Sequence, residues 1–298
     1  MTPEARARLS LDGLSVGDAF GERLFGPNES VLQRIAQRYL ALGPWPYTDD
    51  TEMAISIVES LQTCRTVDQE QLAQRFARNM DDMRGYGAGT FQLLCGVRNG
   101  VPWQRLARAG FRGMGSFGNG AAMRVAPLGA YFADRELELI ADQARLSAEV
   151  THMHPEGIAG AIAVAIGAAL AWRSREQTAP LGKAWIEQIR DRTPQGETRA
   201  GIQAALDLPE QASVQDAARV LGNGSAVTAA DTVPLCLWVA ARCSTSYEEA
   251  LWQTVSALGD RDTTCAIVGG IVALHAGPAS IPTEWMNRRE PLPRTRAI

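Results

Sequence analysis

Gly157-Ile158-Ala159-Gly160-Ala161-Ile162-Ala163-Val164-Ala165-Ile166-Gly167-Ala168-Ala169-Leu170-Ala171-Trp172 is the longest apolar run in the chain. It holds 16 residues, rich in Ala and Gly. A membrane-spanning helix needs roughly 20, so the run reads as a helix buried in a protein core. Outward from it, apolar residues recur at three- and four-residue spacing near 4–22, 49–63, 68–79, 101–109, 119–133, 136–150, 156–173, 198–206, 212–221, 231–242, 247–257 and 263–275. No stretch shows the alternation and β-branched enrichment of a strand. The breaks are Gly- and Pro-rich, as at Gly43-Pro44-Trp45-Pro46, Gly85 to Gly89 and Gly110 to Gly120, and none is a domain linker. The pattern predicts a single all-α domain over residues 1–298, with Arg288 to Ile298 fraying or lying over the surface.

Composition narrows the function classes. Hydrophobic residues are 46% and charged residues 21% of 298, which suits a packed core and argues against disorder. The formal net charge is −4. That leaves no basic footprint and predicts no general nucleic-acid binding. Met1 to Ser10 lacks the apolar segment of a signal peptide, and no membrane association is expected. Cys64, Cys95, Cys236, Cys243 and Cys265 are scattered, odd in number and without a CxxC pair. Such usage fits small core thiols in a reducing compartment, so a cytoplasmic location is expected.

Glycine is used unusually. Gly13, Gly17 and Gly21 recur every four residues on the first predicted helix, and Gly269 and Gly270 fall in the last. Glycine inside a helix costs about 1 kcal/mol against alanine. Close approach of another helix is the expected compensation; approach of a ligand to backbone is the alternative.

Four segments carry residue types with chemistry. Thr48-Asp49-Asp50-Thr51-Glu52 opens a helix; Thr48 or Asp49 suits an N-cap, and Asp49 with Glu52 a capping box. The same turn holds more oxygen acceptors than a cap needs, which suits a hard cation. Gly259-Asp260-Arg261-Asp262-Thr263 repeats the theme before the last helix, with capping again the simpler account. If the two turns converge, their oxygens are enough for a two-metal centre with ions roughly 3.5–4 Å apart. Gly113-Met114-Gly115-Ser116-Phe117-Gly118-Asn119-Gly120 formally contains GxGxxG. A helix rather than a strand precedes it, so a dinucleotide-binding fold is not expected. An anion cradle of loop amides is open to it, as is a plain connecting loop. Finally, Thr151-His152-Met153-His154 places two of the three histidines together, as ligand-binding groups, structural loop residues or a zinc pair without further ligands.

Taken in order, Gly17-Asp18-Ala19-Phe20-Gly21, Thr48-Asp49-Asp50-Thr51, Ser116-Phe117-Gly118-Asn119-Gly120-Ala121-Ala122-Met123-Arg124, Thr151-His152 and Gly259-Asp260-Arg261-Asp262-Thr263 resemble the ADP-ribosylglycohydrolase family. The resemblance implies an orthogonal all-α bundle holding two Mg²⁺ or Mn²⁺ ions. It implies Thr48, Asp49 and Asp50 as ligands of one ion and Asp260, Asp262 and Thr263 as ligands of the other. Ser116, Phe117, Gly118, Asn119 and Gly120 would cradle the diphosphate, and His152 would hydrogen-bond the ligand. This chain departs from the family at Leu258 and Arg261, where glycine and Thr/Ser are usual. A mechanistic glutamate is expected after the first motif, at Glu22 or Glu29, with Glu22 preferred because Gly26-Pro27-Asn28 rebuilds the loop.

The implied activity is metal-dependent removal of ADP-ribose from a protein, nucleic-acid or small-molecule acceptor. Attack falls on the anomeric carbon of the distal ribose through an oxocarbenium-like state, and the product is ADP-ribose. A non-catalytic ADP-ribose-binding relative is one alternative. A metal-dependent nucleotide or phosphate-ester hydrolase is another.

Overall fold

The computed structural model describes residues 1–293, and among them the chain is all-α. Its first nine helices are α1 (Pro3–Glu22), α2 (Asn28–Ala36), α3 (Asp49–Cys64), α4 (Gln69–Asn79), α5 (Ala88–Arg98), α6 (Trp103–Gly113), α7 (Gly120–Met123), α8 (Ala126–Tyr131) and α9 (Leu137–Glu149). The rest are α10 (Pro155–Arg173), α11 (Gly182–Arg192), α12 (Glu197–Asp207), α13 (Val214–Leu221), α14 (Ala229–Cys243), α15 (Tyr247–Ser256), α16 (Arg261–Ala276) and α17 (Thr283–Arg288). Four of these, α2, α5, α11 and α17, escape the sequence periodicity. The predicted 119–133 helix divides into α7 and α8 around Arg124 and Val125.

The glycine stripe decides how the first and last long helices meet. A Cβ on Gly13, Gly17 or Gly21 would lie 2.4, 2.2 or 2.2 Å from the carbonyl oxygens of Gly269, Cys265 and Arg261. Only hydrogen fits, so α1 and α16 pack backbone against backbone, as the glycine spacing leads one to expect. Dispersion across this seam offsets the helix cost of glycine. Ser10 Oγ donates to Gly270 O at 2.8 Å, which fixes the register, and Tyr247 OH of α15 donates to Gly13 O at 2.6 Å. The seam carries Asp18 on α1 to the start of α16, where Asp260 and Asp262 stand.

Helix α10 contains the opening apolar run. It extends to 19 residues, long and apolar enough to cross a membrane, so its length alone does not distinguish it from a span. Burial supports the same assignment instead: 78% of its apolar window lies inside the protein, packed on α7, α8, α9, α14 and α16. Among the thiols, Cys236 and Cys265 are fully buried, whereas Cys64, Cys95 and Cys243 are only half-buried.

The expected fraying of the C-terminal segment is corrected as far as residue 290. Trp285 of α17 stacks on Phe20 with centroids 4.5 Å apart, inside a cluster that includes Trp45 and Trp252. Glu290 Oε1 accepts from Tyr47 N at 2.8 Å and pairs with Arg84. The segment therefore braces the lead-in to α3. Residues 294–298 lie outside the described part of the chain.

Candidate active site

Asp18 is the hub of the first acid turn. Its carboxylate, fully buried, accepts from Thr48 N at 3.0 Å, Thr48 Oγ1 at 2.9 Å, Thr51 N at 3.1 Å and Thr51 Oγ1 at 2.5 Å. Four donors on one carboxylate tie α1 to the first turn of α3. The capping box expected here does not form. Thr48 occupies the N-cap position without a capping side-chain bond, and its hydroxyl is shared between Asp18 and Asp50 Oδ2 at 3.0 Å. Glu52 reaches away, accepting from Asp81 N at 2.9 Å and Tyr86 OH at 2.7 Å. Asp49 and Asp50 are thereby left to face a cleft.

The second turn behaves alike. Asp260 is the N-cap residue of α16 but makes no capping bond; its Oδ2 accepts from Asn119 Nδ2 at 2.8 Å. Asp262 lies in the first helical turn. Arg261 turns away from both. Its Nη1 donates to Leu24 O at 2.5 Å, and its guanidinium carbon lies 4.8 Å from the centroid of Phe25.

One cleft of about 850 Å³ is lined by Asp49, Asp50, Ser116, Phe117, Gly118, Asn119, Gly120, Thr151, His152, Asp260, Asp262 and Thr263. Residues from several distant sequence motifs thus meet. In the glycine loop, Gly118 N donates to Ser116 Oγ at 3.2 Å and Asn119 N to Val227 O at 3.2 Å, so two amides expected to cradle an anion are already engaged. The glycines have another reason. A Cβ on Gly118 or Gly120 would stand 3.3 or 3.0 Å from His152 Nε2, so the loop is glycine-rich where the imidazole lies against it. Phe117 packs edge-on to His154 at 5.5 Å and 4.8 Å from Phe111. His154 serves structurally, its Nδ1 accepting from Glu156 N at 3.2 Å at the start of α10.

The site is strongly acidic. Burial pushes the Asp18 carboxyl up to about 6 in spite of its four donors. Burial and the Asp18 charge push Asp49 up to about 7. The same two causes hold Asp50 well above the carboxylate range, and burial with the neighbouring Asp260 does so for Asp262. Asp50 Oδ1 and Asp262 Oδ1 are buried without any hydrogen-bond donor. Unpartnered carboxylate oxygens beside hydroxyls form an oxygen-only donor set, which fits a hard divalent cation. Among the described residues, no three His, Cys, Asp or Glu side chains form a ready-made metal-binding group.

Neither candidate glutamate lines this cleft. Glu22 is half-buried at the end of α1, one turn beyond Asp18 on the same face, and burial raises its carboxyl. Glu29 is exposed on α2. Two buried residues have no role legible in the local sequence: Asp18, and Arg124, whose Nη2 donates to Thr151 Oγ1 at 2.8 Å. Asp18 carries a visible signal, a charge among Gly17, Ala19 and Phe20 beside the glycine stripe of the first helix.

A family model described as ADP-ribosylglycohydrolase matches residues 1–297. The protein of Homo sapiens described as ADP-ribosylhydrolase ARH3 is 30% identical over 332 residues, covering 96% of this chain and 89% of that protein. An Archaeoglobus fulgidus protein described as uncharacterized is 29% identical over 298 residues, covering 95% and 91% respectively. A solved structure described as an ADP-ribosylglycohydrolase-related protein complex has a TM-score of 0.66 at 24% identity, covering 96% of this chain and 93% of that one. At that identity the likeness bears on the fold.

Proposed function

The chain belongs to the ADP-ribosylglycohydrolase family, and from that membership we propose that it hydrolyses the bond between a modified acceptor and the anomeric carbon of the distal ribose of ADP-ribose. Family and relatives support the coarser reading, a hydrolase that removes ADP-ribose. One observation carries the finer reading: two acid turns more than 200 residues apart converge with the glycine loop and His152 in one cleft.

Thr48, Asp49 and Asp50 would hold one Mg²⁺ or Mn²⁺ and Asp260, Asp262 and Thr263 a second, with Asp18 fixing the first turn. When bound, such ions supply Lewis acidity beside the reacting carbon. The chain's own groups do the rest. The aspartates oppose the positive charge that develops at the anomeric carbon. His152 and the glycine loop hold the diphosphate-ribose portion, so that remote binding energy orients the reacting bond. Glu22, half-buried one turn beyond Asp18 and with its carboxyl raised by burial, is the better placed of the two glutamates to hold a proton. The acceptor would be an ADP-ribosylated protein, nucleic acid or small molecule, in the cytoplasm.

The position of the glutamates favours a second reading, a cleft that binds ADP-ribose without turnover. A panel of ADP-ribosylated substrates, assayed with Mg²⁺, Mn²⁺ or EDTA and read by mass spectrometry, separates the readings. Release of intact ADP-ribose only with divalent ion supports the proposal, and Asp49→Asn or Asp260→Asn should lose most of it while remaining folded. AMP or phosphate as product points to attack at phosphorus. Calorimetric binding of ADP-ribose with no release points to the binder.

A further inference from the structure

Arg124 is fully buried between the acid cleft and α9, and no carboxylate pairs with it among the described residues. Its guanidinium carbon lies 4.6 Å from the centroid of Phe76, Nη1 meets Met53 Sδ at 3.3 Å, and Nη2 donates to Ser147 O at 3.2 Å and Thr151 Oγ1 at 2.8 Å. Thr151 Oγ1 in turn is 2.7 Å from His152 Nδ1. A guanidinium only donates. With Arg124 donating to Thr151 Oγ1, His152 Nδ1 is the one acceptor that the Thr151 hydroxyl meets among the described residues; a hydroxyl that donates there leaves that ring nitrogen without a hydrogen. The hydrogen of the neutral imidazole then sits on Nε2, which faces Gly118 and Gly120 in the cleft and meets no protein acceptor among the described residues.

We infer that Arg124 and Thr151 are positioning residues that lock His152 in its Nε2–H tautomer and aim that single N–H into the cleft as a fixed donor to a ligand oxygen. The ligand's identity rests on the proposed function; the lock itself does not. Burial and the Arg124 charge hold the His152 pKa down to about 3, so the donor stays neutral across the working pH range. A neutral N–H donor recognises a phosphate or ribose oxygen by geometry, and it does not compete with the acid cluster for a cation.

The test is ¹⁵N NMR of the ring nitrogens in the full chain, which has three histidines, with His152 assigned by the signal lost in His152→Gln. Arg124 is too deeply buried for its replacement to be a safe probe, so Thr151 is varied. The native protein should show a protonated-type Nε2 and an unprotonated-type Nδ1. Thr151→Val keeps the shape but removes the hydroxyl, and should give an averaged or reversed pattern. Its ADP-ribose affinity, measured by calorimetry, should fall about tenfold, the worth of one well-placed hydrogen bond. Thr151→Ser should restore both. A native Nδ1–H pattern, or a Thr151→Val pattern unchanged from native, overturns the lock. A changed pattern with unchanged ADP-ribose affinity overturns the donor role. If the native protein binds no ADP-ribose, the proposed function fails, while the spectra still decide the lock.

Discussion

Asn119 Nδ2 donates to Asp260 Oδ2 at 2.8 Å and to Thr232 Oγ1 at 3.1 Å, so one buried amide joins the glycine loop to the second acid turn. Asn119→Ala strands both acceptors. The cost should be about 1–3 kcal/mol, the usual penalty for buried polar groups left unpaired. The urea midpoint should fall at constant slope, and activity should fall further than stability because the loop loses its tether to Asp260. An unchanged midpoint would show that the amide is not structural.

The acid cluster sets the pH dependence. Asp18, Asp49, Asp50 and Asp262 all have folded-state pKa values above the ordinary carboxylate value, with burial the first cause in each. A carboxyl that binds its proton more tightly folded than unfolded destabilises the protein above the folded pKa. That cost is relieved as pH falls through the folded value towards the unfolded one. In EDTA, the thermal midpoint should therefore rise from pH 8 to pH 5. Mg²⁺ or Mn²⁺ should raise it most at pH 8, where the carboxylates are ionised, and less at pH 5, where protons compete. A midpoint at pH 8 indifferent to either ion argues against the cation site.

Two glycines of opposite setting test the helix seam. Gly17→Ala would place a methyl carbon 2.2 Å from Cys265 O, backbone that cannot yield without parting α1 from α16. The loss should reach or exceed about 3 kcal/mol, the top of the usual overpacking range. Asp18 follows directly in sequence, so activity should vanish with it. A Cβ on Gly89, in α5, would meet nothing within 4 Å. Gly89→Ala should be neutral or stabilising by up to about 1 kcal/mol. Chemical denaturation of the pair reads the contrast.

What was legible in the sequence was local. Thr48-Asp49-Asp50 and Asp260-Arg261-Asp262 announce themselves because a few adjacent residues carry more oxygen than a cap uses. The glycine stripe announces α1 because its period matches a helix. What was illegible depended on partners far along the chain. Asp18 gains its place from Thr48 and Thr51, and Glu52 leaves its capping box for Tyr86 and Asp81. The glycine loop loses amides to Val227 and Ser116. Three of the missed helices have local reasons instead. Helix α5 starts behind Gly87 with Gly89 and Thr90 in its first turn, α2 follows Gly26-Pro27, and α17 spans too few residues to show a period.

Arg261 offers the sharpest test of the second acid turn. Its neighbours in sequence are Asp260 and Asp262, yet its guanidinium is bound to Leu24 O and stacked on Phe25, so it acts on the cleft in two separable ways. It tethers the segment between α1 and α2, and it adds a fixed positive charge near the acids. Arg261→Met keeps an apolar stem and removes both effects; Arg261→Lys keeps the charge and loses the Nη1 bond to Leu24 O and the planar contact with Phe25. Removing the charge should tighten Mn²⁺ binding about three- to tenfold, the order expected for one charge in a partly screened site. Calorimetric titration should show this gain for Met and not for Lys. Hydrogen exchange across residues 24–29 should quicken in both. Equal Mn²⁺ affinity in all three proteins would mean that the Arg261 charge is screened from the cluster, leaving the tether as its only part in the site.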